Sequence, residues 1–284
     1  MAGRVANSHG RPGRTGNMDS LRDKVAIVTG GGSGIGRATA RSLARRGACI
    51  VVADVNAETA DAVVAEITGA GGQAAGVRCD VGEDAAFDEL RRFALDRFGR
   101  VDVVMNNVGV LTRGRPELLP VAEWQRIITV NLMSVVRSNA VFLPLLIEQG
   151  HGHIVNTASF AGLFTYAYDR LPYAATKAAI VQISEGLRLY LHPQGIGVTV
   201  LCPGPVKTNV LSTLRSFGPD IETRGPGDQF ALLEPETVGE QVAEAILADT
   251  FMLYTHPQVR DVLVGRATDW NAFIAGQADR VNPA

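Results

Sequence analysis

The chain has 284 residues, 46% of them hydrophobic and 20% charged, with a formal net charge of −2. That composition suits a globular protein with a sizeable core and gives no reason to expect nucleic acid or an anionic membrane as a partner. No uninterrupted apolar run approaches the ~20 residues that cross a bilayer, the longest being VFLPLLI at 141–147, which contains Pro144.

Residues 1–17, MAGRVANSHGRPGRTGN, hold Gly, Pro and Arg with no acidic residue and no apolar periodicity. They read as a disordered extension, and the folded domain is expected over about 21–284, behind an extension of 1–20. An h-region is missing, which excludes a secretory signal, and so is the amphipathic stripe of a transit peptide. From Lys24 short β-branched runs alternate with helical patterns. KVAIVT (24–29) predicts a strand and GRATARSLARRG (36–47) a helix closed by Gly47. CIVVAD (49–54) predicts a second strand, followed by a helix over about 57–69. AAGVRCD (74–80) predicts a strand, EDAAFDELRRFALDRFG (83–99) a helix and VDVVMN (101–106) another strand. A long helical region then runs to about Gln149. HIVNTAS (153–159) and GVTVLCP (197–203) predict strands flanking a helix near 173–192. FMLYTH (251–256) predicts a last strand with a helix after it.

Alternation of this kind predicts an α/β fold: a Rossmann-like, doubly wound parallel sheet, buried on both faces, in a single domain. No solenoid repeat and no inner linker interrupts it. The region 207–234 is rich in Gly, Pro and charge and is expected to form a lid, with a C-terminal extension over about 256–284. The cysteines Cys49, Cys79 and Cys202 are scattered and form no CxxC pair. Neither a disulfide framework nor a metal site is expected, and a reducing, cytoplasmic setting fits. His151 and His153 read as loop histidines without metal partners.

VTGGGSGIG (28–36) follows the first strand and opens the first helix. Gly30, Gly34 and Gly36, spaced GxxxGxG, suit a tight turn, close backbone approach to a pyrophosphate, and packing of helix on strand. Ser33 and Ile35 stand among them at a helix N-terminus, where free N–H groups and the dipole favour negative charge. A glycine cluster alone is a weak signal, because turns are full of glycine. Asp54, eighteen positions beyond Gly36 at the end of the second strand, strengthens it. A carboxylate there suits the adenosine ribose of NAD and repels the 2′-phosphate of NADP. The other reading of Asp54 is a helix cap before Asn56. Arg37 reads as a solvated helix residue.

With these motifs the chain resembles the short-chain dehydrogenases/reductases over about residues 22–250. TGGGSGIG looks like the family's TGxxxGxG loop. CDV at 79–81 is similar to its Asp-Val that meets adenine, here Asp80 and Val81. NNVG at 106–109 looks like its NNAG segment, with Val108 in place of alanine, and implies Asn107 and Gly109 at the cofactor cleft. PGPVKT at 203–208 resembles the turn beside the nicotinamide, which implies contacts from Pro203, Gly204, Val206 and Thr208. Asn131 in VNLMS, Ser159 in NTAS, and Tyr173 with Lys177 as YxxxK are similar to the family's catalytic four. Ser159 precedes Tyr173 by fourteen positions, slightly more than the family's usual spacing.

The resemblance implies hydride transfer between NAD and the carbinol carbon of a secondary alcohol or ketone, with Tyr173 as base for oxidation and acid for reduction. A free tyrosine titrates near 10. Lys177, one turn on, shares its helix face, and a cation beside the phenol favours phenolate. Lys177 would also hydrogen-bond the nicotinamide ribose, and Ser159 would hold the substrate oxygen. Asn131 is implied to bend its helix and hold a water leading to Lys177, or it is a buried amide serving backbone groups. Phe160, Phe164, Tyr166 and Tyr168, with Phe251, Tyr254, Trp270 and Phe273 on the far side, suggest an apolar pocket for a bulky substrate; the alternative is that they pack the fold. Two other readings stay open: an NADP-dependent carbonyl reductase, and a non-catalytic dinucleotide-binding sensor. The resemblance also implies a homodimer or homotetramer.

Overall fold

The computed structural model describes residues 18–219 and 224–281. Residues 1–17 of the expected extension, 220–223 of the expected lid and 282–284 of the C-terminal extension lie outside the described residues. Met18 was expected in the extension, but it is 8% exposed and packs into the core with Leu21. Packing therefore reaches back at least as far as Met18.

In chain order the strands are β1 (Val25–Thr29), β2 (Cys49–Asp54), β3 (Gln73–Arg78), β4 (Val103–Asn106), β5 (Thr112–Gly114), β6 (Gly152–Thr157), β7 (Ile196–Cys202), β8 (Arg215–Phe217) and β9 (Met252–Tyr254). The helices are α1 (Gly34–Arg45), α2 (Ala57–Gly69), α3 (Ala86–Phe98), α4 (Val121–Ile127), α5 (Ser134–Gln149), α6 (Phe160–Leu163), α7 (Leu171–Leu191), α8 (Pro235–Leu247), α9 (Val259–Thr268) and α10 (Trp270–Val281). The main sheet has seven parallel strands in the order β3-β2-β1-β4-β6-β7-β9. Alternate side chains of a strand face opposite ways. Ala26 and Val28 of β1 join α1, α2 and α8 on one face, while Val25 and Ile27 join α3 and α5 on the other. Both faces are covered, so the strands read as unbroken apolar runs. The order reverses between β1 and β4, which opens a crevice beyond their carboxyl ends.

Several elements differ from the sequence expectations. The helical region before Gln149 is not one regular helix, because Ile128–Met133 form a π-helical turn between α4 and α5. The extra residue in that turn brings Asn131 to the inner side, where it is fully buried. The stretch Val121–Gln149 has a mean hydropathy of 1.6 and is long and apolar enough to cross a bilayer by length and composition. A search for uninterrupted apolar runs misses it because Asn, Ser and Arg punctuate it. Its inner face packs on the protein, with Ser138, Phe142 and Leu146 buried. Helix α8 has no counterpart in the expectations; Gly239 lets it press on α1, where a Cβ would lie 2.6 Å from the Ala38 carbonyl. Strands β5 and β8 pair in parallel, Thr112 with Arg215 and Gly114 with Phe217, and so stitch the loop after β4 to the segment after Thr208. The expected C-terminal helix is two helices, α9 and α10. His153 is no loop residue; it lies within β6, fully buried.

Candidate active site

The first crossover builds one end of the crevice. Gly30 and Gly34 take φ of +62° and +51°, the left-handed region that glycine enters without strain. A Cβ at Gly36 would stand 2.1 Å from the Gly30 carbonyl oxygen, so only glycine lets α1 pack this tightly under the loop. Ser33 precedes α1 in extended conformation, yet its side chain makes no capping bond, so the first-turn amides stay open to an anion. The Asp54 carboxylate faces the same loop and accepts the amides of Gly32 at 3.0 Å and Asn56 at 3.1 Å. The cap of α2 is Asn56, whose Oδ1 receives the Glu58 and Thr59 N–H groups, and not Asp54. Arg37 is not simply solvated; its Nη2 pairs with Glu66 Oε1 at 2.7 Å.

The next segments complete the wall. Asp80 Oδ1 accepts the Gly82 N–H at 2.9 Å and shapes the turn after β3. Asn107 fastens the end of β4 to β1, its Nδ2 donating to the Thr29 carbonyl at 3.2 Å. The cleft has a volume of about 430 Å³. Gly30, Ser33, Gly34, Ile35 and Asp54 line it from the first crossover, and Asp80, Val81, Asn107 and Gly109 from the next two strands. Pro203, Gly204, Val206 and Thr208 line it beyond β7. Ser159, Tyr173 and Lys177 share the same cleft. Gly36 and Asn131 stand one layer behind it, both buried.

The chemistry-bearing side chains are held by backbone groups. Lys177 donates from Nζ to the Thr157 carbonyl at 2.7 Å and lies 5.6 Å from the centre of the Tyr173 ring. Burial pulls its amine down to about 8. Burial pushes the Tyr173 phenol up to about 12, against the opposing effect of the Ser159 hydroxyl and the Arg170 guanidinium. The expected acidic phenol is thus not what the protein groups alone produce. The ammonium is engaged by Thr157, and desolvation of the phenolate outweighs the polar neighbours. Ser159 also caps α6, its Oγ accepting the Ala161 N–H at 3.2 Å. Asn131 serves the backbone: Nδ2 donates to the Val110 carbonyl at 3.0 Å, and Oδ1 accepts the Val110 N–H at 2.8 Å. That pair fixes the loop after β4 against the π-helical turn.

The region expected as a lid contributes residues that no sequence motif marks. Asn209, Ser212 and Thr213, from a short 3₁₀ turn capped by Thr208, face the cleft. Thr213 Oγ1 accepts the Leu111 N–H at 3.1 Å. Short polar side chains in an irregular segment carry no periodicity, and Thr157 acts through a backbone carbonyl, which is invisible to motif reading. The aromatic residues expected around a pocket resolve mostly to packing. Phe160, Phe164 and Tyr166 are buried with Phe230, and partly buried Phe251, Tyr254 and Phe273 pack against them. None of the eight aromatics lines the cleft; Trp270 is 56% exposed beneath the Arg266 guanidinium.

A family model described as short chain dehydrogenase matches residues 24–217. The chain is 34% identical over 194 residues to the 2,5-dichloro-2,5-cyclohexadiene-1,4-diol dehydrogenase of Sphingobium indicum, covering 68% of this chain and 77% of that protein. It is 36% identical over 195 residues to the cyclohexanol dehydrogenase of an Acinetobacter species, with the same coverage of 68% and 77%. Among solved structures it is similar to a short chain dehydrogenase/reductase from Burkholderia phymatum in complex with NAD. The TM-score is 0.80 at 31% identity, covering 94% of this chain and 98% of that one.

Proposed function

The chain belongs to the short-chain dehydrogenase family, and from that premise we propose that it transfers hydride between NAD and a secondary alcohol or ketone on a bulky, apolar, alicyclic frame. Membership makes it an oxidoreductase acting on the CH–OH group of a small molecule. The observation that carries the finer reading is a shared wall: Ser159, Tyr173 and Lys177 line the same cleft as Gly30, Gly34 and Asp54. The residues suit a dinucleotide, since open first-turn amides at α1 fit a pyrophosphate. A fixed carboxylate at Asp54 fits ribose hydroxyls and disfavours a 2′-phosphate, and Arg37 is committed to Glu66. When bound, the nicotinamide supplies the hydride acceptor or donor.

The chain's own residues manage position and protons. Tyr173 passes a proton between its hydroxyl and the substrate oxygen. Ser159 donates a hydrogen bond to that oxygen. Lys177, anchored at Thr157, keeps two further N–H groups for the cofactor ribose. Asn131 holds the loop at Val110 in place beside them. The alicyclic class comes from the relatives that act on cyclohexanol and a chlorinated cyclohexadienediol. We also propose assembly into a homodimer or homotetramer through 127–147, where Ile128, Met133 and Val136 are exposed. Three free cysteines suit a reducing, cytoplasmic setting.

Turnover of cyclic, aromatic and small linear alcohols with NAD and with NADP tests the reading. Cyclohexanol-like substrates should give the highest kcat/KM, with NAD preferred and the preference reduced in Asp54→Ala. Turnover confined to small polyols would refute the bulky substrate, and an NADP preference in the unaltered enzyme would refute the Asp54 assignment.

A further inference from the structure

His256 follows β9, is 5% exposed, and has no part in the proton transfer described above. Its Nε2 lies 2.7 Å from the Ala231 carbonyl oxygen, and its Nδ1 lies 2.9 Å from Thr255 Oγ1. Thr255 Oγ1 in turn accepts the Gly204 N–H at 2.9 Å. A carbonyl oxygen only accepts, so Nε2 carries the ring proton. Nδ1 of the neutral ring then accepts, so the Thr255 hydroxyl donates to it and keeps its lone pairs for Gly204. Each hydrogen bond in the row thus has one direction. The ring packs against both Phe160 and Phe230, with centroids 5.8 Å from each, and those two rings lie 5.1 Å apart. A Cβ at Gly204 would lie 2.7 Å from Nδ1, so the turn rests directly on the imidazole.

The row joins three separate segments. Gly204 lines the cleft. Ala231 belongs to the returning limb of the lid. Thr255 and His256 leave the outermost strand. The two limbs of the lid also meet here, with the Leu233 N–H donating to Pro205 at 3.1 Å and the Lys207 N–H donating to Leu233 at 2.9 Å. His256 therefore underlies the point from which the lid departs and to which it returns.

We propose that His256 is a positioning residue which, through Thr255, sets the Gly204 amide and the foot of the lid over the cofactor cleft. The inference rests on reading that cleft as a dinucleotide site. His256→Phe keeps a ring against the two phenylalanines and removes both hydrogen bonds, whereas Thr255→Val keeps the shape and cuts only the relay. NADH titration by fluorescence should show binding about tenfold weaker in each variant, the scale of one lost buried hydrogen bond. The double variant should be no worse than the weaker single, because the groups act as one unit. KM for the alcohol should rise more than kcat falls. Amide exchange over 205–219 in the ligand-free protein should quicken in both variants. Wild-type protein that fails to bind NADH would sink the dinucleotide reading and leave the exchange measurement to judge His256. Unchanged NADH affinity and unchanged exchange in Thr255→Val would overturn the role of His256, even if His256→Phe failed to fold.

Discussion

Tyr173 and Lys177 lie one helical turn apart, yet the ammonium bonds a carbonyl and the phenol is held high by burial. On the proposed role of Tyr173 as acid and base, proton transfer there depends on groups that join it in the working complex, and removal of the hydroxyl should be felt in turnover and not in binding. Tyr173→Phe is expected to lower kcat by about 10²–10⁴-fold, the usual worth of a positioned acid or base, with NADH affinity retained. Wild-type turnover by that variant would take Tyr173 out of the mechanism. At this scale the motif residues were legible because each chemistry has few residue types and a set spacing. Ser159, Tyr173 and Lys177 do reach one cleft. Their backbone partners were not legible, since Thr157 and Val110 contribute peptide groups that any residue would offer.

Between elements, contacts at glycine decide how closely layers approach. The α1–α8 contact at Gly239 leaves no room for a methyl group beside the Ala38 carbonyl. Gly239→Ala should cost about 1–3 kcal/mol by overpacking, seen as a fall in Tm of roughly 2–10 °C for a chain of this size, with kcat unaltered. An unchanged Tm would mean that α8 can slide on α1. The central strands were legible because burial on both faces demands unbroken β-branched runs, as in VAIVT and CIVVAD. The pair β5 and β8, TRG with RSF, was not, because only tertiary pairing makes three such residues a strand. Helix α8 carried a readable signal in Pro235 at its first position and apolar Val238, Val242 and Ile246 along one face. The aromatic residues left packing and pocket lining both open because composition does not distinguish the two, and the structure puts most of them in a core cluster.

For the molecule as a whole, one buried imidazole makes stability depend on pH on the acid side. His153 Nε2 meets Thr199 Oγ1 at 2.8 Å, and Thr199 donates onward to the Thr250 carbonyl. Nε2 therefore donates, and the buried Nδ1 has no hydrogen-bond partner. Burial lowers this histidine from 6.5 to about 4, with Asp249 opposing and Arg188 adding to the shift. The unfolded chain takes up the proton first as pH falls. The contribution of His153 to stability is accordingly complete above about 6.5 and is lost progressively towards 4. A shift of that size amounts to about 3 kcal/mol. Urea midpoints measured between those pH values should decline in the wild type and decline less in His153→Gln. Equal acid limbs in both proteins would show that His153 ionises without unfolding.

The outermost strand has a consequence for synthesis. β9 pairs with β7 through Val200 and Met252, and the Val200 N–H donates to the Phe251 carbonyl at 2.7 Å. A nascent polypeptide that has emerged only as far as Cys202 carries β1 to β7 with a bare sheet edge at β7 and an unroofed crevice. Its later residues supply the covering strand and the lid's anchor together. A premature stop codon between Cys202 and His256 should therefore yield material that precipitates or is degraded, and not a partly active fragment.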